Sequence, residues 1–173
     1  MRNFKELLRN VKAFAFDVDG VFTDGTVILH PSGELLRTSN TRDGYAVHVA
    51  IEKGFPVAII SGGKSETVRE RFKGLGVTDI YLGLNDKTEA LDDFRFKYGL
   101  ELSEILYMGD DIPDFEVMRK VGIATCPADA APEIRSISAY ISNYSGGRGC
   151  VRDVVEQVLR LNNKWGPTAK NIQ

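Results

Sequence analysis

Two aspartates one residue apart, Asp17 and Asp19, follow an apolar run and precede Gly20. Carboxylates this close repel each other, so keeping both ionised requires a cation beside them. An aspartate held next to Mg²⁺ can act as a nucleophile on a phosphate ester. A solvated turn, in which Asp and Gly are common, is an open alternative. A calcium loop fails on spacing, because Val21 and Phe22 stand at its third ligand and glycine positions.

Three further groups of polar residues follow apolar runs or begin a predicted helix. The Ser61-Gly62-Gly63 segment is typical of a turn that holds phosphate at a helix N-terminus, and equally of an ordinary N-cap. Lys87 begins a predicted helix, which is an unfavourable place for a cation unless it reaches an anion; a solvated lysine is the alternative. The segment 109–114 brings three carboxylates to one turn, where they either hold a cation or cap a helix.

The apolar runs predict the elements that position these groups. Val11–Phe16, Pro56–Ile60 and Ile105–Met108 have the length and composition of strands buried on both faces. They alternate with helical patterns such as Lys87–Tyr98. This alternation predicts a three-layer α/β fold with a doubly wound parallel sheet. Because ligands of such sheets collect at the carboxyl ends of the strands, the polar groups are expected to converge there.

One segment departs from the alternation. Thr26–His30 and Glu34–Thr41 are predicted strands of a small hairpin (about 26–41), and Asp43 is predicted to cap the next helix. Residues 1–161 are expected to form a single domain without an inserted cap domain. Residues 162–173 are expected to form a C-terminal tail that is mobile until something binds it.

Composition excludes several classes of partner. The 173 residues carry a net charge of −2 without blocks of like charge, so no nucleic acid partner is expected. No apolar segment approaches the ~20 residues that cross a bilayer, so no membrane partner is expected. Charged residues interrupt the apolar runs near the N-terminus, which argues against a signal peptide. Cys126 and Cys150 form no CxxC pair and indicate free thiols. A cytoplasmic location is predicted.

Taken together, the motifs are more specific than any one alone. Their order along Val11–Leu161 resembles that of the haloacid dehalogenase-like phosphatases. Within that superfamily the chain is most similar to the small capless members that hydrolyse 3-deoxy-octulosonate 8-phosphate in lipopolysaccharide precursor synthesis. The segments that carry the resemblance are Asp17–Gly25, Asn40–Gly44, Gly109–Asp114 and Gly146–Gly149.

The resemblance implies a role for each motif. Asp17 would accept the phosphoryl group, and Asp19 would protonate the leaving alkoxide and then activate water. Mg²⁺ would lie between the Asp17 carboxylate, the Asp19 backbone carbonyl and Asp110, where it offsets the repulsion between two anions. Phosphate binding would fall to Ser61, the Gly62 N–H and Lys87, with Asp111 and Asp114 orienting the metal shell and Lys87.

The substrate's sugar part is less well defined. The resemblance implies contacts from Asp19, Asn40, Thr41, Arg42, Asp43, Gly44, His48 and Arg71, although a lone helical histidine is otherwise typical of a packed or surface position. Gly63 stands where many of these phosphatases have an arginine that serves the sugar acid's carboxylate. A nine-carbon keto-deoxy sugar acid 9-phosphate is therefore the alternative substrate.

A receiver-like or phosphate-binding module is the alternative of another class. Such modules lack the second acid two residues after the nucleophile, so Asp19 favours an enzyme.

The hairpin also bears on assembly. Its apolar residues lie on strands with no evident sheet partner, which invites pairing with another chain. The capless relatives form tetramers whose neighbouring subunits close each other's sites. A homotetramer is therefore predicted, with the hairpin at its core and Gly146–Gly149 or the C-terminal tail near the neighbouring site.

Overall fold

The computed structural model describes residues 3–166, and its centre is a six-stranded parallel sheet. The strands in chain order, including the two of a separate hairpin, are β1 (Ala13–Phe16), β2 (Ile28–Leu29), β3 (Leu35–Leu36), β4 (Val57–Ser61), β5 (Asp79–Leu82), β6 (Ile105–Met108), β7 (Ile123–Cys126) and β8 (Tyr140–Ile141). The six strands of the sheet lie in the order β5-β4-β1-β6-β7-β8, and β2 and β3 form the separate hairpin. On β1, Phe16 pairs with Ile59 of β4 and with Met108 of β6. The strands that carry the polar motifs are therefore neighbours.

Helices cover both faces of this sheet. They are α1 (Phe4–Arg9), α2 (Thr41–Glu52), α3 (Glu66–Gly74), α4 (Lys87–Tyr98), α5 (Phe115–Lys120), α6 (Pro132–Ile137) and α7 (Cys150–Leu161). Side chains alternate across β1, so Phe14 and Phe16 pack in the core with α1, α2 and α7, whereas Ala13 and Ala15 face α4, α5 and α6. All four residues are completely buried. The predicted three-layer fold is confirmed.

The hairpin is shorter than predicted. Only two residues on each side pair, Ile28 with Leu36 and Leu29 with Leu35. Leu29 is 77% exposed, because a two-stranded hairpin without a further sheet has no surface against which to bury its apolar side chains. Within residues 3–166 no longer insertion that would make a cap domain interrupts the alternation of strands and helices.

The predicted cap of α2 is wrong. The helix begins at Thr41, three residues earlier than a helix capped by Asp43 would, and the Asn40 side chain accepts the N–H of Arg42 at 2.8 Å. Asp43 instead accepts the N–H groups of Gly149 (3.2 Å) and Arg152 (2.8 Å), at the start of α7. It therefore caps a helix more than a hundred residues away in the chain.

The start of the predicted tail packs on the domain. Trp165 lies edge-on to Tyr45 of α2 at 6.4 Å between ring centroids, and the Arg152 guanidinium lies 5.3 Å from the Trp165 ring. The rest of the predicted tail, 167–173, lies outside the described residues, so the domain boundary at 161 stays a prediction. None of the described helices has the length and apolar character needed to cross a membrane.

Candidate active site

The predicted polar groups converge at the carboxyl edge of the sheet. Asp17 follows β1, Ser61 is the last residue of β4, and Asp110 lies two residues beyond β6. The N–H of Asp17 donates to the carbonyl of Met108 at 3.0 Å, so the β1–β6 pairing continues up to the aspartate. Lys87 begins α4 and reaches the same edge. The common strand direction explains why motifs far apart in sequence meet here.

Lys87 lies between two buried carboxylates. Its Nζ is 2.9 Å from Asp17 Oδ1 and 2.7 Å from Asp114 Oδ1. Asp114 also accepts the Tyr107 hydroxyl at 2.7 Å and, through Oδ2, the N–H of Asp110 at 3.2 Å. The side chains of Lys87 and Asp114 are 5% and 1% exposed, so this lysine is not the solvated one of the alternative interpretation.

This cluster carries more negative than positive charge. Burial, together with the charge of Asp114, raises the pKa of Asp17 well above its usual value, although Lys87 opposes the shift. Burial, Asp114 and Asp111 raise the pKa of Asp110 to about 7. Burial alone would lower the pKa of Lys87, but Asp17 and Asp114 outweigh it and raise that pKa. One ammonium does not neutralise these carboxylates, which favours a bound cation.

Asp17, Asp110 and Asp114 each offer an oxygen within 4.8 Å of the others. Two of them belong to the predicted metal set. Gly20 makes their approach possible: its φ is +80°, and a Cβ there would lie 1.9 Å from Asp110 Oδ2. A larger residue at position 20 would therefore displace the Asp110 carboxylate.

The side chain of Asp19 is held by a residue that sequence reasoning missed. Arg37, directly after the hairpin, donates through Nε to Asp19 Oδ1 at 2.6 Å and through Nη2 to Oδ2 at 3.0 Å. No local motif marks Arg37, because its partner lies 18 residues earlier in the chain.

The Ser61-Gly62-Gly63 segment forms a tight turn beside Asp17. Ser61 is buried, and its hydroxyl accepts the Gly63 N–H at 3.2 Å. The N-cap of α3 is Ser65, whose side chain accepts the N–H of Val68. The interpretation of Ser61 as an ordinary helix cap is therefore wrong.

Comparisons with known proteins show which family of proteins this chain is similar to. No family model matches the chain. The chain is 37% identical over 155 residues to the 3-deoxy-D-manno-octulosonate 8-phosphate phosphatase of Escherichia coli K12, which covers 90% of this chain and 82% of the relative. That relationship decides the family. The chain belongs to the 3-deoxy-D-manno-octulosonate 8-phosphate phosphatases.

Solved structures of this phosphatase family have the same fold. The Yersinia pestis enzyme superposes with a TM-score of 0.90 at 34% identity, covering 92% of this chain and 86% of that one. The Moraxella catarrhalis enzyme, solved with magnesium, phosphate and the sugar acid, gives 0.88 at 35% identity and covers 92% and 91%. A Legionella pneumophila neighbour at 31% identity is described as a haloacid dehalogenase superfamily hydrolase, so the predicted superfamily is confirmed.

The residues at this edge fit the magnesium of the phosphatase family. Carboxylate oxygens are the ligands that Mg²⁺ prefers, and it binds through one or two of them with water completing the shell. Asp17 and Asp110 suit that role. Asp114 is already engaged by Lys87, Tyr107 and the Asp110 backbone. Asp111, predicted to orient the metal shell, accepts the N–H of Ile112 at 2.8 Å and so caps the 3₁₀ turn Ile112–Asp114.

The predicted substrate residues divide into separate environments. Asn40, Gly44 and Arg71 line a cavity of about 220 Å³ beneath the hairpin. Arg42 lines a second, polar groove along α7, and Thr41 is exposed at the start of α2.

Asp43 and His48 lie elsewhere. Asp43 is fully buried with both oxygens on α7. His48 lies on α2 where that helix meets the end of α3. Its Nε2 is 3.4 Å from Glu52 Oε1, and its Nδ1 is 3.3 Å from the carbonyl oxygen of Leu75. These contacts give both residues a structural position.

The Gly146–Gly149 turn, a segment of the family resemblance, supports the Asp17–Gly20 loop of its own chain. The Gly147 N–H donates to the carbonyl of Val21 at 2.9 Å. A Cβ at Gly146 would lie 2.0 Å from the carbonyl oxygen of Gly20. Glycine is therefore required at this contact between two backbones.

Proposed function

We propose that this chain is a Mg²⁺-dependent phosphatase that hydrolyses 3-deoxy-D-manno-octulosonate 8-phosphate to the sugar acid and phosphate. The observation that carries the proposal is a buried aspartate, Asp17, held by Lys87 at 2.9 Å beside the Asp110 and Asp114 carboxylates, in a member of this phosphatase family. The Moraxella catarrhalis relative has been solved with magnesium, phosphate and the sugar acid, which supports the assignment of cofactor and product.

In the proposed mechanism Asp17 attacks phosphorus. The bond from the carboxylate oxygen to phosphorus forms while the bond from phosphorus to the sugar oxygen breaks, and Asp19 gives its proton to that oxygen. Asp19 then takes a proton from water, and the water oxygen bonds to phosphorus while the bond from phosphorus to the Asp17 oxygen breaks, which releases phosphate and restores the Asp17 carboxylate. Mg²⁺ held by Asp17, Asp110 and the Asp19 backbone carbonyl would offset the repulsion between nucleophile and phosphate.

We assign Ser61, the Gly62 N–H and Lys87 to the phosphoryl oxygens, where fixed donors stabilise the redistributed charge. Asp114 holds Lys87 in position and is itself held by the Tyr107 hydroxyl. We leave Asp43 and His48 out of the substrate site, because the Asp43 side chain contacts α7 and the His48 side chain contacts the end of α3.

The experiment is Mg²⁺-dependent release of phosphate from a panel of keto-deoxy sugar acid phosphates, ranked by kcat/KM. We expect the eight-carbon 8-phosphate to rank first. A higher rank for the nine-carbon 9-phosphate would favour the alternative substrate. A single equivalent of stable phosphoprotein without turnover would favour the receiver-like alternative and contradict the proposed function.

We further propose that the enzyme is a homotetramer, with sites completed by neighbouring subunits, and that it acts in the cytoplasm. The exposure of Ile28, Leu29 and Leu35 on an isolated hairpin supports assembly, and the two unpaired buried thiols agree with a reducing compartment. Light scattering of an active preparation tests the first part. The mass of a single chain would contradict it.

A further inference from the structure

Arg37 is seated in the active site. Besides its two hydrogen bonds to Asp19, the guanidinium donates through Nη1 to the carbonyl of Leu35 at 2.7 Å. The side chain is only 10% exposed, whereas that of Asp19 is 36% exposed. The planar guanidinium matches both carboxylate oxygens at once, which is the strongest geometry for such a pair.

Arg37 lines the space beside Asp19. Asp19, Arg37, Ser61 and Gly63 line one small depression, which has no room for a water molecule (≈ 0 Å³). A Cβ on Gly63 would lie 3.5 Å from Arg37 Nη2 and 3.7 Å from Asp19 Oδ2. Both distances are ordinary van der Waals contacts, so position 63 lies directly against this ion pair. Both Asp19 oxygens accept hydrogen bonds from Arg37, so the guanidinium competes with a leaving group for this acid.

Arg37 also borders open space. It directly follows β3, and the hairpin that carries it has only two paired residues in each strand. Arg37 also lines the 220 Å³ cavity beneath the hairpin, together with Leu36, Val68 and Arg71. The side chain therefore lines both the small depression beside Asp19 and the cavity beneath the hairpin.

We propose that Arg37 selects substrates that carry a carboxylate, by exchanging the Asp19 carboxylate for that of the substrate. This inference rests on the phosphatase function proposed above. A sugar acid offers Arg37 the same pair of oxygens that Asp19 offers, so the exchange preserves the bidentate contact and releases Asp19 toward the leaving oxygen. A phosphate ester without a carboxylate offers no replacement, and Arg37 stays on Asp19. Arg37 is thus a positioning and specificity-determining residue.

The test compares two esters, 3-deoxy-octulosonate 8-phosphate and p-nitrophenyl phosphate, which has no carboxylate. We expect Arg37→Ala to lower kcat/KM for the sugar acid phosphate by roughly 10–100-fold, the range for losing a charge-assisted hydrogen-bonded pair. Hydrolysis of p-nitrophenyl phosphate should rise, because Asp19 is then free of the guanidinium. Arg37→Lys should be intermediate, because lysine keeps the charge but not the bidentate fork. As a matched control, Arg95→Ala removes an arginine that pairs with Asp92 on α4 at 2.7 Å, and neither rate should change.

A binding measurement gives a readout independent of turnover. Calorimetric titration with the free sugar acid and with its methyl ester should show preference for the acid in the unmodified protein and none in Arg37→Ala. Two results would overturn the role of Arg37 alone: equal losses of kcat/KM on both phosphate esters in Arg37→Ala, or an unchanged binding preference of that variant for the free acid over its methyl ester. If the unmodified protein turned over neither of the two phosphate esters, the proposed function itself would be overturned, and the inference with it.

Discussion

Removing the charge of Lys87 perturbs the cluster most directly, and Lys87→Met does so with little change in volume. Its Nζ lies 2.9 Å from Asp17 and 2.7 Å from Asp114, and its side chain is 5% exposed. Breaking a buried ion pair by removing one partner costs about 3–5 kcal/mol. For a domain of this size that corresponds to a fall in Tm of roughly 6–20 °C. We expect this loss in urea or thermal unfolding with EDTA present.

Addition of Mg²⁺ should return part of the lost stability, because a bound cation replaces the missing charge beside Asp17. Lys73→Met is the matched control: Lys73 pairs with Glu70 at 2.9 Å on the surface of α3, and its side chain is 54% exposed. That variant should change stability by no more than about 0.5 kcal/mol. A loss below about 1 kcal/mol for Lys87→Met in EDTA, or no response to Mg²⁺, would refute the reasoning.

Three further predictions concern the supporting residues. Asp43→Ala should lower stability in urea by about 1–3 kcal/mol with KM unchanged, since α7 loses its cap; unchanged stability with a raised KM would instead make Asp43 a substrate residue. Gly20→Ala should raise the Mg²⁺ concentration needed for activity, because its Cβ would collide with Asp110; a wild-type Mg²⁺ dependence would contradict this. Because the pKa values of Asp17 and Asp110 are raised, the metal-free fold binds more protons than the unfolded chain and loses stability as pH rises through about 7. The gain in Tm on adding Mg²⁺ should therefore be larger at pH 8 than at pH 5.5, and equal gains would contradict it.

The sheet and the meeting of the catalytic motifs could be predicted because both depend on local patterns. A short, wholly apolar run such as Ala13–Phe16 favours a strand buried on both faces, and parallel strands bring their carboxyl ends to one edge. From sequence alone Lys87 has two interpretations, since a helix start says nothing about which anion lies opposite.

The rest depends on partners far away in the chain. Asp43 has the residue type and position of a helix cap, yet the first N–H it accepts at the start of α7, that of Gly149, lies 106 residues later. Arg37 directly follows a hairpin for which the sequence predicts longer strands, but no sheet lies beside those strands to bury them. Its bond to Asp19 follows from the path of the hairpin over the site, which no spacing in the sequence specifies.

The central claim is that Asp17 carries the phosphoryl group and Asp19 turns it over. The most direct measurement is mass spectrometry of rapidly quenched reactions of 3-deoxy-octulosonate 8-phosphate with the unmodified chain, Asp19→Asn and Asp17→Asn in Mg²⁺. We expect Asp19→Asn to lose about 10²–10⁴ in kcat, and any trapped phosphoryl group to lie on the peptide that contains Asp17. Asp17→Asn should neither turn over nor carry a phosphoryl group. Turnover by Asp17→Asn, or a phosphoryl group on another residue, would contradict the account.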